Sequence, residues 1–359
     1  MSGRFRGFAL LLALALVLGA CGDDDGGATT TSGVTTTSGG TTTSAATTTS
    51  GAEPETEVEL VLAHSYQEGQ PQVACGANVI KEVAEAANVG LTIEIFGASS
   101  LGGDADRIQS VISGDIDIDI QGASALAGVY GPIGTADGAF VFDDSDHVYR
   151  FFTGEASDDL KDGFFAATGV RILGAWNTGA RQFTANVPIR SPEDLQGLKM
   201  RFPPSPQFLM NAAAMGASPV EVAYEELYLA LQQGTVDGQE NPIVNIKAIS
   251  LFEVQDYISM SSHQLSTNVV VVNGATWDSL SPAQQAAMLE AVDAAMIQEP
   301  QCAAEAEEAT LAEWRANGTI EIIDDVDRDA FRALAEPYLR EHFTPEQVVV
   351  LDAIRSVAD

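Results

Sequence analysis

The pattern of apolar and polar positions changes period repeatedly after residue 57. Val58–Ala63 alternates and predicts a strand, Gln72–Ala87 predicts a helix, and Leu91–Phe96 alternates again. Asp104–Ser113 predicts a second helix and Ile116–Ile120 a third strand. Strands and helices in alternation predict a mainly parallel sheet with helices on both faces. Three helix starts carry a hydroxyl cap followed by proline: Ser191-Pro-Glu-Asp, Ser281-Pro-Ala-Gln and Thr344-Pro-Glu-Gln. The second opens a helical pattern reaching about Asn317, and Pro300 within it predicts a kink or break, because proline removes a backbone donor.

The ends of the pattern differ from its middle. Arg4 and Arg6 precede the apolar run Phe8–Leu18, and Leu18-Gly19-Ala20-Cys21 follows. The run is too short to span a bilayer, has the flanks of a secretory signal, and ends in a sequence resembling a bacterial lipobox. Residues 1–20 are therefore expected to be a lipoprotein signal peptide and Cys21 the lipidated first residue; the alternative is an ordinary signal cut nearby. Residues 21–56 then form a tether. Thr-Thr-Thr-Ser recurs from Thr29, Thr35, Thr41 and Thr47, and the segment has too few large apolar groups to fold. As a coil of about 35 residues it would hold the body roughly 30–35 Å from the lipid, and about 100 Å when stretched.

At 359 residues the chain exceeds what one core usually serves, which favours two lobes. Removing residues 1–20 takes two of the 17 basic residues and none of the 51 acidic ones, leaving a formal charge of −36. Such a surface repels nucleic acid and anionic lipid. Arg171–Arg201 departs from it, with Arg171, Arg181, Arg190, Lys199 and Arg201 against Glu193 and Asp194. Scattered surface charge and an anion-binding cleft both explain that window.

Cys75 and Cys302 remain after Cys21. In an exported protein an isolated pair is expected to be bridged, and no Cys-x-x-Cys or Cys/His spacing suggests zinc; two buried thiols are the other reading. Asp115, Asp117 and Asp119 imitate a calcium loop, yet isoleucine fills the gaps and Ile120 stands where the loop needs glycine. A strand with one acidic, solvated face is expected there, and a solvated turn at Asp143, Asp144 and Asp146. The four histidines, His64, His147, His263 and His342, lack ligand spacing. No nucleophile elbow, phosphate loop or dinucleotide fingerprint appears, so the sequence points to no catalytic residue, cofactor or metal.

Several segments carry a family resemblance. Tyr224-Glu-Glu-Leu-Tyr-Leu-Ala-Leu-Gln-Gln-Gly-Thr-Val-Asp-Gly-Gln-Glu-Asn-Pro242 resembles the signature of the solute-binding proteins that feed TRAP (tripartite ATP-independent periplasmic) transporters. Ser100-Leu-Gly-Gly-Asp104, Gly114-Asp-Ile-Asp117, Gly179-Ala-Arg-Gln-Phe-Thr184 and Ser191–Pro203 match further segments in the same order. The resemblance runs from about Val58 to the C-terminus. It implies a bidentate bond from Arg201 to a ligand carboxylate, with Arg181 and the Asn241 amide near the same group and the Tyr224 ring against the ligand. A planar guanidinium presents paired donors that fit a carboxylate, which lysine cannot do. Arg201 could instead sit in a structural ion pair, and Tyr224 could be core. Trp176 and Asn177, just before Arg181, could line the pocket, although Trp176 also suits a core. After the third strand, Gln121-Gly-Ala-Ser124 stands where some acid-sugar receptors carry a charged residue, which weakens an assignment to sialic acid.

The implied fold is α/β, a two-lobe periplasmic-binding-protein-like architecture with a long lobe-spanning helix. Lobe I is expected from 57–178 plus 267–306, and lobe II from 179–266 plus 307–359. The implied function is capture of a small organic acid by lobe closure and delivery to TRAP membrane permease subunits, outside the cytoplasm, with the membrane reached through the lipid anchor. A receptor for an ATP-driven importer would share the tethered form. A lipid-anchored enzyme would need a nucleophile or metal that the motifs do not supply.

Overall fold

A computed structural model describes residues 56–358. The signal segment, Cys21 and nearly all of the tether lie outside the described residues. The first strands are β1 (Val58–His64), β2 (Leu91–Phe96), β3 (Ile118–Gly122) and β4 (Val170–Ala185). They are followed by β5 (Lys199–Phe202), β6 (Ser218–Glu221), β7 (Gly238–Pro242), β8 (Tyr257–Ser259), β9 (Leu265–Asn273) and β10 (Glu321–Ile323).

These strands form two hydrogen-bonded groups that share β4. In one, β2, β1 and β3 run parallel and β9 joins antiparallel between β3 and the first part of β4. In the other, the last five residues of β4 pair antiparallel with β7, which runs parallel to β5 and then β6. β8 pairs with the same end of β4 and carries β10. Between the two stretches the β4–β9 register slips from Asn177 to Ala180, and Gly179 sits there at φ +99°, a backbone state that side-chain-bearing residues rarely adopt.

The core falls into two clusters that do not follow the strand groups, since Phe183, Met200 and Phe202 of the second group belong to the larger one. A large cluster includes Leu60, Leu62, Ile118, Ile120 and Val269–Val272, and a smaller one gathers Leu227, Ile243, Ile246, Ile258 and Ile320. The helix Pro282–Asn317 belongs to both, through Met288, Ala291, Val292 and Ala295 at one end and Leu311 and Trp314 at the other. It is the long lobe-spanning helix of a two-lobe α/β fold.

Its start follows the expected chemistry. Ser281 Oγ accepts from the Gln284 amide at 3.2 Å and Gln284 Oε1 accepts from the Ser281 amide at 3.0 Å. Of the kink or break expected at Pro300, the break does not occur, and the helix is continuous for 36 residues. Ala295 and Met296 are packed in the core before the proline, and Cys302 is bonded to Cys75 just after it. That packing and the disulfide help to offset the roughly 3 kcal/mol that an interior proline costs. Thr344 caps a second helix, Pro345–Ser356, whereas the Ser191 box caps only the short turn Pro192–Leu195. The region expected as one helix at Gln72–Ala87 is a wider turn, Gln72–Ala77, running into the helix Asn78–Ala86.

The acidic face expected around β3 is corrected. Asp119 is fully buried, bonded by Arg107 Nε at 3.0 Å, and burial lifts its carboxyl to about 6 against the opposing charge of Arg107. Asp117 accepts from the Val61 amide and the Thr276 hydroxyl, both at 2.8 Å, so only Asp115 is exposed.

Cys75 and Cys302 are joined as a disulfide, 227 residues apart in sequence. Thiol labelling of the denatured, unreduced protein is expected to find neither cysteine free; two labelled thiols would refute the bond. Replacing both by serine should cost up to roughly 5 kcal/mol of stability, the chain-entropy limit for so long a loop.

Candidate functional site

The short strand β5 alternates sharply. Met200 and Phe202 are buried in the core, so Arg201 between them faces the other side of the sheet. There it meets a cavity of about 380 Å³ whose wall includes Ser65, Tyr66, Asp104, Arg181 and Tyr224. Arg201 is only 1% exposed. Its Nε donates to the Val222 carbonyl at 2.7 Å, while Nη1 and Nη2 are buried without a hydrogen-bond partner. Burial lowers its pKa to about 10, which still leaves it charged at neutral pH. Buried polar groups are nearly always paired, and an unmet charged donor is costly. The two free nitrogens are the pair that a carboxylate oxygen pair fits.

Arg181 reaches the same cavity but its fork is engaged. Phe183 of β4 pairs with Glu240 of β7, which brings Arg181 beside the Glu240 side chain. Arg181 Nε and Nη2 both donate to the Glu240 carboxylate, Nη2 at 2.7 Å, and Nη2 also reaches the Glu240 carbonyl at 2.8 Å. Burial works to raise the Glu240 carboxyl, yet Arg181 and His263 outweigh it and hold it below the usual range. His263 is itself pushed down by burial, and its Nε2 lies 3.3 Å from Glu240 Oε2 while Nδ1 meets Ser261 Oγ at 2.8 Å. A carboxylate only accepts, so the neutral ring donates from Nε2.

Arg181, expected near the ligand carboxylate, thus lines the cavity with its fork held by Glu240. What remains free of it is Nη1, which donates to Ser266 Oγ at 3.2 Å. Asn241 lines the cavity, but its Oδ1 accepts from Arg181 at 3.2 Å and its Nδ2 donates to Gln239 at 2.6 Å. Tyr224 lines the cavity as well, with its hydroxyl 3.4 Å from the Asn245 carbonyl; burial raises its pKa, so it stays neutral.

Trp176 does not reach the cavity. It is buried, with its ring 3.0 Å from where a Cβ on Gly76 would stand, so it belongs to the core. Asn177 lines a different, larger and more open groove of about 590 Å³ beside Pro300 and Glu307. That groove borders Arg315, which is paired with Asp324 at 2.8 Å, and offers no unmet buried cation. The smaller cavity therefore carries the chemistry.

The basic window Arg171–Arg201 is likewise divided. Arg171 pairs with Asp278, Arg190 with Asp325, and Lys199 donates to the carbonyls of Gly234 and Thr235. Only Arg181 and Arg201 reach the cavity. Sequence reasoning missed Glu240 and His263, although Glu240 lies inside the Val236–Pro242 motif. It also missed the buried Arg107, which donates to Asp104 at 2.8 Å and Asp119 at 3.0 Å. Gln121, named only for where it departs from other receptors, donates from Nε2 to the Asp104 carbonyl at 2.9 Å and is not part of the wall.

Two lobes sharing a strand and a long helix, with a buried cation in a cavity between wall residues of several strands, define a solute receptor of the periplasmic type. The model of the bacterial extracellular solute-binding protein family 7, DctP, matches residues 62–346, and the chain belongs to that family. It is a TRAP-type solute-binding protein and not an enzyme. Among relatives, the 2,3-diketo-L-gulonate-binding periplasmic protein YiaO of Escherichia coli K12 is 31% identical over 268 residues, 74% of this chain and 81% of that one. The sialic acid-binding periplasmic protein SiaP of Vibrio cholerae is 30% identical over 252 residues, 70% of this chain and 78% of that one. A TRAP periplasmic solute-binding protein from Polaromonas, solved with D-erythronate, superposes with a TM-score of 0.78 at 26% identity, covering 84% of this chain and all of that one. Another from Roseobacter denitrificans, with L-galactonate, gives 0.76 at 28%, covering 83% and 99%. No helix among the described residues is long and apolar enough to cross a membrane.

Proposed function

We propose that this protein is an extracytoplasmic lipoprotein that captures a small organic carboxylate on Arg201, closes its lobes around it and delivers it to a TRAP permease. The observation that carries this reading is the buried Arg201 guanidinium with two unpartnered nitrogens facing the cavity. Closure would remove water from the pair and strengthen it, since the attraction between charges grows as the local dielectric falls. The relatives and solved neighbours that bind organic acids support the same chemistry. Energy would come from an ion gradient through the permease, in keeping with the TRAP class of its relatives.

The wall also limits the ligand's charge. Of its two cations, Arg181 is neutralised by Glu240, while Asp104, Asp106, Asp137 and Glu225 line the same space. One free cation suits one carboxylate. A thermal-shift panel of D-erythronate, L-galactonate, D-glucuronate, succinate and L-malate is expected to show the three monocarboxylates stabilising more than the two dicarboxylates. A dicarboxylate preference would refute the charge argument alone; no shift by any acid, with a shift by neutral sugars or amines, would refute the carboxylate reading.

The anchor has its own test. Cys21→Ser is expected to release the body from the membrane fraction, and unchanged retention would count against lipidation.

A further inference from the structure

Behind the cavity a line of buried polar groups leads to the long helix. Tyr66 and Asn268 are on the cavity wall. Asn268 Nδ2 donates to the Tyr66 hydroxyl, and Asn268 Oδ1 lies 2.6 Å from Thr178 Oγ1. Thr178 Oγ1 is in turn 3.0 Å from Glu299 Oε1, and Glu299 is fully buried just before Pro300. Thr178 sits on β4 where its register slips between the two strand groups.

With the Asn268 amide oriented as it stands, counting protons gives the direction of this line. A threonine hydroxyl has one hydrogen and faces two oxygens here. Asn268 Oδ1 can only accept, so the Thr178 hydrogen goes there. The contact with Glu299 Oε1 is then a hydrogen bond only if Glu299 carries the proton. With Asn268 Nδ2 donating to the Tyr66 oxygen, the Tyr66 hydrogen is left free for the cavity.

We propose that Glu299 is a protonated positioning residue, whose O–H orders Thr178, Asn268 and Tyr66 in one donor direction and makes the Tyr66 hydroxyl a hydrogen-bond donor to the bound acid. Ionising Glu299 reverses the line. Thr178 then donates to the carboxylate, the Asn268 amide turns over, and Tyr66 gives its hydrogen to Asn268 and presents a lone pair to the ligand. The cavity end rests on the carboxylate-receptor reading above; the protonation of Glu299 does not.

The surroundings agree. Burial holds the Glu299 carboxyl well above the usual range, opposed only by the Thr178 hydrogen bond, and no charged group acts on it. Gly76 faces it from the turn Gln72–Ala77, where the neighbouring Cys75 is locked in the disulfide, and Thr178 faces it from β4. On its own helix Glu307 lies farther along, against Gly179, and is also raised by burial. Tyr66 is raised by burial too, so it keeps its proton across the ordinary pH range.

The ligand-free test compares urea unfolding of the full chain and Glu299→Gln, a near-isosteric variant, from pH 5 to pH 9. A carboxyl whose pKa is raised by folding contributes fully below its unfolded value and loses that contribution as pH rises through the folded value. The wild-type folding constant, divided by that of Glu299→Gln, should therefore fall by up to about tenfold per pH unit above the unfolded value and level off once the folded value is passed. Parallel profiles would overturn the protonation. In parallel, titration with the tightest-binding of the five acids named above should show wild-type affinity falling about tenfold across the pH at which the unfolding ratio levels off, one hydrogen bond's worth. Glu299→Gln, whose amide donates at every pH, should be flat. The same pH dependence in both would overturn the link to Tyr66. A wild type that none of the acids stabilises would take down the carboxylate reading and the cavity end with it, leaving the unfolding ratio to decide Glu299.

Discussion

Replacing Arg201 by lysine is expected to weaken binding of the captured acid by about 1.5–3 kcal/mol, roughly 10- to 150-fold in Kd, while the protein folds normally. Lysine keeps a positive charge but presents it at a point, so it cannot replace the paired Nη1 and Nη2 donors. Nor does folding depend on those two nitrogens, because neither has a partner in the protein. Arg201→Met makes the contrast sharper. It removes a buried cation whose donors are unmet, and should leave the unliganded protein as stable or more stable by about 1–3 kcal/mol, while abolishing capture. Calorimetric titration beside a thermal melt of each variant separates the cases. Near-wild-type affinity in the lysine variant would rule out the clamp, and a large loss of melting temperature would make Arg201 structural.

Glu240 is expected to behave in the opposite way. Its carboxylate and the Arg181 guanidinium are both buried, so Glu240→Leu leaves a positive charge in the interior with nothing to balance it. A loss of about 3–5 kcal/mol is expected, most of it recovered when Arg181→Met is added, since well-packed apolar pairs often replace buried ion pairs at little cost. Chemical denaturation of the two single variants and the double variant measures this. Additive losses would show that the pair is not coupled. The folded pKa of Glu240 is held below its unfolded value, so its contribution is present above the unfolded value and is lost as pH falls through the folded one. Glu240 and Glu299 thus have opposite pH signatures, one lost in acid and the other on the alkaline side.

Much of the scaffold was legible because local patterns and tertiary demands agree. Leu91–Phe96 and Asp104–Ser113 have the bounds their periodicity gives, and the Ser281 and Thr344 caps open helices. Arg201 stood out because Ser191–Pro203 resembles a family segment, and alternation along Lys199–Phe202 then sets it opposite the core. Failures came where a distant residue changed the meaning of a local one. The Asp-Ile-Asp pattern reads as a solvated face, but Arg107, twelve positions earlier, buries Asp119 in an ion pair. Pro300 reads as a helix kink or break, but the helix is continuous, with packing before the proline and the disulfide after it. Arg181 reads as an arginine near the ligand carboxylate, and nothing local shows that Glu240, 59 positions later, takes its fork. Packing between residues far apart in sequence leaves no periodic trace, so Trp176, which lies against Gly76, could not be assigned to core or cavity from its neighbours in sequence.

The central claim is that Arg201 holds the carboxylate of a captured organic acid. Its most direct test is a mass spectrum of the small molecules released on denaturing the purified wild-type protein, beside Arg201→Lys prepared identically. An organic acid released from the wild type and strongly depleted in the variant is expected. A neutral or cationic molecule released equally from both would contradict the claim.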